Sequence, residues 1–228
     1  MQHITAHFPK AESNNSLEKS ILKALKTNSM EASKTIWGTS ICSDEVNNNF
    51  TFLNKHFAGL GPFRFGGISG LPFTGKTGFR AFASHIPDDG GALILYGPHI
   101  GVSKNGKAGE ILREGQQAIS TCCGSLIAGL NSVQNNVVPQ NPARDDYQQS
   151  QVSKMLIEKY EEINASSEPI KTVTEIAFQQ INRELKDIIS ACKDAITGRK
   201  VLLIGGIIIN TDWDQEDFFE VRDVTLIS

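Results

Sequence analysis

Apolar residues along this chain change period several times, and each change marks an element. From Ser16 to Ala32, Leu17, Ile21, Leu22 and Leu25 share one helical face, with Ser16 as the N-cap and Glu18 in the first turn. Lys34–Ile41 reads as a strand running into Cys42-Ser-Asp-Glu, and a short helix follows around Phe50–Phe57. Phe63–Ser69 is a candidate strand, the segment GLPFTGKTG from Gly70 is a glycine-rich loop, and Phe79–His85 is a short helix. Ala92–Tyr96 is the clearest buried strand: short, continuous, and bounded by glycines and a proline. Glu110–Cys123 and the following Gly124–Val133 predict helix with a break near Gly124, and 135–145 predicts a loop. Asp146–Ile196 predicts two helices parting near Ser166, the second, from Thr172, amphipathic and stopped by Gly198. Lys200–Thr211 and Phe218–Ile227 read as the strands of a hairpin.

Strands alternate with helices in the first half, and a helical region precedes a closing β pair. That order predicts an α/β fold with a mostly parallel central sheet, mixed edge strands and flanking helices. Residues 1–14 are polar and predict a flexible tail, leaving 15–228 as a single domain. Reactive groups in such sheets gather at the carboxyl ends of strands. Three segments place polar groups there: Cys42-Ser-Asp44, the glycine-rich loop, and Pro98-His99.

Composition narrows the partners. Of 228 residues, 39% are apolar and 21% charged, which is enough for a core and unlike a disordered chain. A net charge of −3 gives no basic excess, so neither nucleic acid nor a membrane surface is an expected partner. The longest apolar run, Val201–Asn210, is too short for a membrane span and holds two glycines. The N-terminus has neither a signal-peptide pattern nor an arginine-rich leader, so a cytoplasmic protein is expected. Four irregularly spaced cysteines, Cys42, Cys122, Cys123 and Cys192, suggest burial, metal ligation or catalysis before a disulfide framework.

Two chemistries compete. Gly70–Thr77 matches the phosphate-binding pattern G-x-x-x-x-G-K-T, in which backbone N–H groups cradle phosphates and Lys76 would reach them. That pattern needs a buried strand before it and a substantial helix after it. Here the preceding segment carries a charge and two glycines, and the following helix is short, so an NTPase is the remote reading. The other reading is a tight loop beneath a different site, with Lys76 a local charge. Cys42, His99 and one of Cys122 and Cys123 form a thiolate–imidazole–thiolate set that suits zinc and leaves one position for water. Asp44, two residues past the first of these, could accept a hydrogen bond from that water and would need a cation beside it. Buried cysteines and a strand-end histidine also occur as ordinary core groups, and Cys192 reads as one.

The blocks TIWGTSICSDEVN, FRFGGISGLPFTGKTGFRAFASHIPDDG, ILYGPHIGVSKNGKAGEILREGQ and STCCGSL, in that order, resemble the limiting-CO2-inducible protein B/C family. The resemblance is dense over roughly residues 35 to 130. It implies a β-carbonic anhydrase-like fold and a zinc site of Cys42, His99 and Cys123, the last directly before glycine. It also implies reversible hydration of CO2 to bicarbonate by a zinc-bound hydroxide, with Asp44 orienting the hydroxide, and a homodimer. The family's Cys-x-Asp-x-Arg motif is broken here, because its arginine position holds Val46. The cation beside Asp44 is therefore expected from Arg80, with Lys76 second, while Arg113 reads as a helix-surface or structural residue. Phe73, Phe79 and Ile100 are the expected apolar pocket walls. Members of the family are not uniformly active, so a non-catalytic role in assembly or inorganic-carbon handling is the alternative.

Overall fold

Gly91–Tyr96 and Lys200–Asn210 carry apolar side chains at successive positions, which suits strands covered on both faces. Both are interior strands in the computed structural model, which describes residues 2–137 and 144–228. The chain opens with α1 (Gln2–His7), β1 (Glu12–Ser13), α2 (Asn14–Thr27), β2 (Thr35–Ser40) and β3 (Phe63–Arg64). It continues through α3 (Gly75–Ala83), β4 (Gly91–Tyr96), β5 (His99–Gly101), β6 (Glu110–Ile111), β7 (Ser120–Thr121) and α4 (Gly124–Gln134). It closes with α5 (Tyr147–Ile157), α6 (Tyr160–Asn164), α7 (Pro169–Ser190), β8 (Lys200–Asn210) and β9 (Phe218–Ile227).

The main sheet runs β1-β9-β8-β4-β2-β3, with β5 also paired to β8. Pairs among β2, β3, β4, β5 and β8 are parallel, and β9 is antiparallel to both β8 and β1. This is the mostly parallel α/β sheet with mixed edges that the strand pattern predicts. Side chains alternate across each strand, so neighbours in sequence enter different cores. Ile36, Ile94, Tyr96 and Leu203 pack beneath helices including α3, α4 and α7, while Trp37, Leu93, Leu95 and Leu202 face α2. Glycines allow the step from β4 to β5. A Cβ on Gly97 would lie 1.7 Å from the Gly206 carbonyl oxygen, and one on Gly205 would lie 2.2 Å from Cζ of Tyr96.

Several boundaries differ from the sequence reading. The expected tail forms α1, whose Ile4 is buried, and β1, with Phe8 buried between them; all three join an apolar group with Ile100, Val102 and Ile207 or the sheet edge. The Lys10 backbone N–H donates to Glu220 Oε2 at 2.9 Å, which further anchors this segment. α2 begins at Asn14 behind Ser13, so Ser16 lies inside the helix. The expected helix at 50–57 is a 3-10 turn over Glu45–Leu53, with Asp44 at its N-cap. The candidate strand at 63–69 pairs only at Phe63–Arg64, and Gly66 then presses onto Ile41, where a Cβ would lie 2.1 Å from the carbonyl oxygen. Glu110–Cys123 is not helical: β6 and β7 form an antiparallel ribbon. Gly109 and Gly115 adopt φ of +87° and +79°, conformations that an α-helix does not use. Asp212 pins the ribbon, accepting from the N–H groups of Leu112 at 2.8 Å and Lys104 at 3.2 Å. The region 146–196 holds α5, α6 and α7 instead of two helices, and residues 138–143 of the expected loop lie outside the described residues.

Candidate metal centre

The carboxyl ends of parallel strands converge on one point. Cys42 follows the end of β2, His99 opens β5 just past β4, Asn210 ends β8, and Cys123 precedes α4. The donor atoms of Cys42, His99 and Cys123 all lie within 4.8 Å of one another, and all three residues are buried. The two sulfurs are 4.0 Å apart. His99 is fixed from behind. Asn210 Nδ2 donates to the Val46 carbonyl and to Asp217, which leaves Asn210 Oδ1 to accept from His99 Nδ1 at 2.8 Å. The His99 proton therefore sits on Nδ1, and Nε2 presents a lone pair. Nε2 is fully buried and has no hydrogen-bond partner among the described residues. A buried imidazole nitrogen left bare is costly, and a coordinated cation removes that cost. The set therefore fits a metal ion.

The sulfurs are supported by backbone. Ser69 donates its N–H to Cys42 Sγ at 3.2 Å. Cys123 is drawn toward thiolate first by the Cys42 thiol, which donates to it against the effect of burial, and then by N–H groups of Leu126 and Ser125. The Cys42 thiol is pushed up, by its bond to Cys123 first and by burial second. Cys122 has its Sγ 3.4 Å from His99 Nδ1, the nitrogen already engaged by Asn210. Cys123 is thus the better-placed third ligand.

Asp44 stands beside this set, its Oδ2 3.9 Å from His99 Nε2. Its cation is Arg113. The guanidinium bonds both carboxylate oxygens, Nη1 to Oδ1 and Nη2 to Oδ2, each at 2.9 Å. Burial alone would raise the Asp44 pKa, but the Arg113 pair holds it down at about 2. The Arg113 position is itself held by Ser120 Oγ, at 3.1 Å from Nε. This corrects the expectation for Arg80, which instead forms an exposed two-point ion pair with Asp194 at 2.7 and 2.9 Å. Lys76 is exposed on α3. An open cavity of about 450 Å³ reaches Arg113 from outside, walled by Val46, Ile111, Leu112, Asp212 and Trp213.

The structure thus brings together Cys42, His99, Cys123 and Asp44, and it does not add Arg80 or Lys76 to them. Of the expected pocket walls, Phe79 and Ile100 are packed in the core, and Phe73 is half-buried at a separate open cavity. Phe73 meets Tyr147 edge-on, Phe79 has Phe65 and Phe82 as ring neighbours, and Ile100 joins Ile4 and Phe8. Sequence reasoning missed Arg113, Asn210 and Ser69. Asn210, at the end of the long apolar strand β8, was open to the rule that placed His99.

A twisted, mostly parallel sheet that gathers two cysteines, a histidine and an aspartate–arginine pair at its carboxyl edge defines a carbonic anhydrase-like protein with a candidate metal site. The family model described as limiting CO2-inducible proteins B/C, β-carbonic anhydrases, matches residues 11–228, and the chain belongs to that family. A crystal structure of PtLCIB4, a homolog of the limiting CO2-inducible protein LCIB, is 32% identical with a TM-score of 0.90, covering 99% of this chain and 94% of that one. A crystal structure of LCIB itself shares the fold at 21% identity and a TM-score of 0.73, covering 98% of this chain and 96% of that one. No curated protein matches the chain. Among the described residues no helix is long and apolar enough to cross a membrane.

Proposed function

We propose that this chain is a zinc-dependent carbonic anhydrase that interconverts CO2 and bicarbonate. The observation that carries the reading is the buried Cys42–His99–Cys123 cluster with an Asp44–Arg113 pair beside its free imidazole nitrogen. Cys42, His99 and Cys123 would hold Zn²⁺, which when bound supplies the Lewis acidity that brings water's pKa near neutrality. Asn210 keeps His99 in the tautomer that offers Nε2. Asp44, with a pKa of about 2, is a carboxylate at neutral pH and accepts hydrogen bonds only. It therefore acts by orientation: it takes the O–H of the reacting water, so that an oxygen lone pair faces the carbon of CO2. Arg113 holds both Asp44 oxygens and fixes that direction. The C–O bond then forms, bicarbonate departs, and the proton released from water passes to solvent buffer.

The deciding experiment is stopped-flow CO2 hydration with zinc content measured on the same samples. The wild type is expected to hold about one zinc per chain and to turn over. Cys123→Ser is expected to lose zinc, and Asp44→Asn to keep zinc and lose most activity. A zinc-loaded wild type with no hydration above buffer refutes the enzyme and leaves a role in assembly or inorganic-carbon handling. A homodimer is part of the proposal, and light scattering of the purified protein tests it.

A further inference from the structure

Both sulfurs of the candidate site face backbone N–H groups, and those groups are tied to each other and to one helix. The Ser69 N–H reaches Cys42 Sγ at 3.2 Å, and the Ser125 and Leu126 N–H groups lie at Cys123. Ser69 is fully buried and adopts φ +56°, an unusual conformation for a residue with a side chain. Its hydroxyl donates to Ser125 Oγ at 2.9 Å. Ser125 Oγ donates in turn to Gln149 Oε1 at 2.8 Å, and Gln149 Nε2 returns a bond to the Ser125 carbonyl at 3.2 Å. The preceding residue, Gln148, accepts the Ile68 N–H at 2.9 Å. Two adjacent glutamines of α5 therefore grip the loop before Gly70 and the first turn of α4 at once.

We infer that Gln149 is a positioning residue for the metal centre, acting through Ser125 and Ser69 on the N–H groups that face the two sulfurs. The physical basis is the orientation of sulfur by N–H···S bonds. A thiolate that accepts a directed N–H holds its remaining lone pairs in a fixed direction and disperses part of its charge. Residues that orient ligands in this way alter metal affinity without touching the metal. Without Gln149, the Ser125 hydroxyl loses its acceptor and the Ser125 carbonyl loses a donor. The bond that keeps Ser69 in its left-handed turn then loses its fixed partner.

The inference rests on the metal reading, and its test separates the two. Cobalt(II) is loaded into the wild type, Gln149→Leu, Ser69→Gly and Gln149→Glu. Affinity is read by chelator competition, sulfur–cobalt geometry by the near-ultraviolet charge-transfer band, and fold by circular dichroism and urea denaturation. Ser69→Gly keeps the freedom for positive φ and removes the hydroxymethyl group that reaches Ser125, so the relay is tested even where Gln149→Leu does not fold. Cobalt affinity is expected to fall about tenfold with a shifted charge-transfer band in Gln149→Leu and Ser69→Gly. Gln149→Glu, which still accepts from Ser125, is expected to recover part of the loss. Folded variants with affinity within about twofold of the wild type and an unmoved band overturn the inference, as does a stability loss without spectral change. A wild type that takes up no cobalt overturns the metal reading and this inference with it.

Discussion

Replacing Arg113 by alanine is the sharpest test of the site, because it removes one partner of a nearly enclosed pair. Both side chains are only 16% exposed, and the two N–H···O bonds are each 2.9 Å. Stranding one member of a buried ion pair costs about 3 to 5 kcal/mol. Residual exposure lets water reach the carboxylate, which brings the cost down to about 2 to 3 kcal/mol. Asp44 freed in this way is also loose, with Oδ2 only 3.9 Å from His99 Nε2, so it can turn toward the ligand set instead of holding water. If the whole cost falls on the reaction, kcat/KM drops about 30- to 150-fold. The zinc content is expected to stay unchanged, since Arg113 touches none of the three ligands in its bonds to Asp44, Glu45, Ser120 and the Thr121 carbonyl. Arg113→Lys recovers only part, because an ammonium is a point charge and cannot span both oxygens. Arg80→Ala is the control: its pair with Asp194 has side chains 48% and 69% exposed, so solvent screens it and it lies apart from the candidate ligands. Stopped-flow hydration with metal analysis reads all three variants. An Arg113→Ala protein that is zinc-loaded and within about threefold of the wild type refutes the reasoning, as does an equal loss in Arg80→Ala.

Three further outcomes follow from the same geometry. Burial would raise the Asp223 pKa, but Tyr96, Lys186 and Thr225 hold it below its ordinary value of 3.8. A depressed carboxyl stabilises above the unfolded value and loses that contribution as pH falls through the folded one. The urea-measured stability gap between the wild type and Asp223→Asn is therefore expected to persist from neutral pH down to about 4 and to close below it. Gly97→Ala would place a Cβ 1.7 Å from the Gly206 carbonyl oxygen, so a loss of about 3 kcal/mol or more, read by urea denaturation, is expected. Lys76→Ala is expected to leave CO2 hydration within about twofold of the wild type, and calorimetric binding of Mg²⁺-ATP to the wild type would contradict this reading of its loop.

What was legible in the sequence depended on whether the cause was local. β4 and β8 are runs with no polar interruption, and burial on both faces follows from composition alone. His99 lies just past β4, and Cys42 lies just past β2, which is buried along its whole length although it carries Thr and Ser, so the carboxyl-edge rule reached both. Arg113 lies 69 residues from Asp44. No spacing links them, and the apolar residues between Glu110 and Cys123 mimic a helix where glycines build a ribbon. A cation that satisfies a buried carboxylate is chosen by the fold, so it becomes visible only when both strand ends and the ribbon are in place.

The segment GLPFTGKT shows the same division from the other side. Its glycine and lysine spacing satisfies a phosphate loop, yet the strand before it is a two-residue edge and Lys76 is exposed. Gly70 is required for a different reason: a Cβ there would lie 2.7 Å from the Gly97 carbonyl oxygen, and Ser40 Oγ donates to the Gly70 carbonyl at 2.8 Å. Those contacts seat the loop against the ends of β2 and β4, and the residue before Gly70 delivers its N–H to Cys42. The glycine therefore brings backbone close to the Cys42 sulfur, where in a phosphate loop it would bring backbone close to an anion. The chemical use of a backbone N–H is set by what stands opposite it, and here that is Cys42 Sγ.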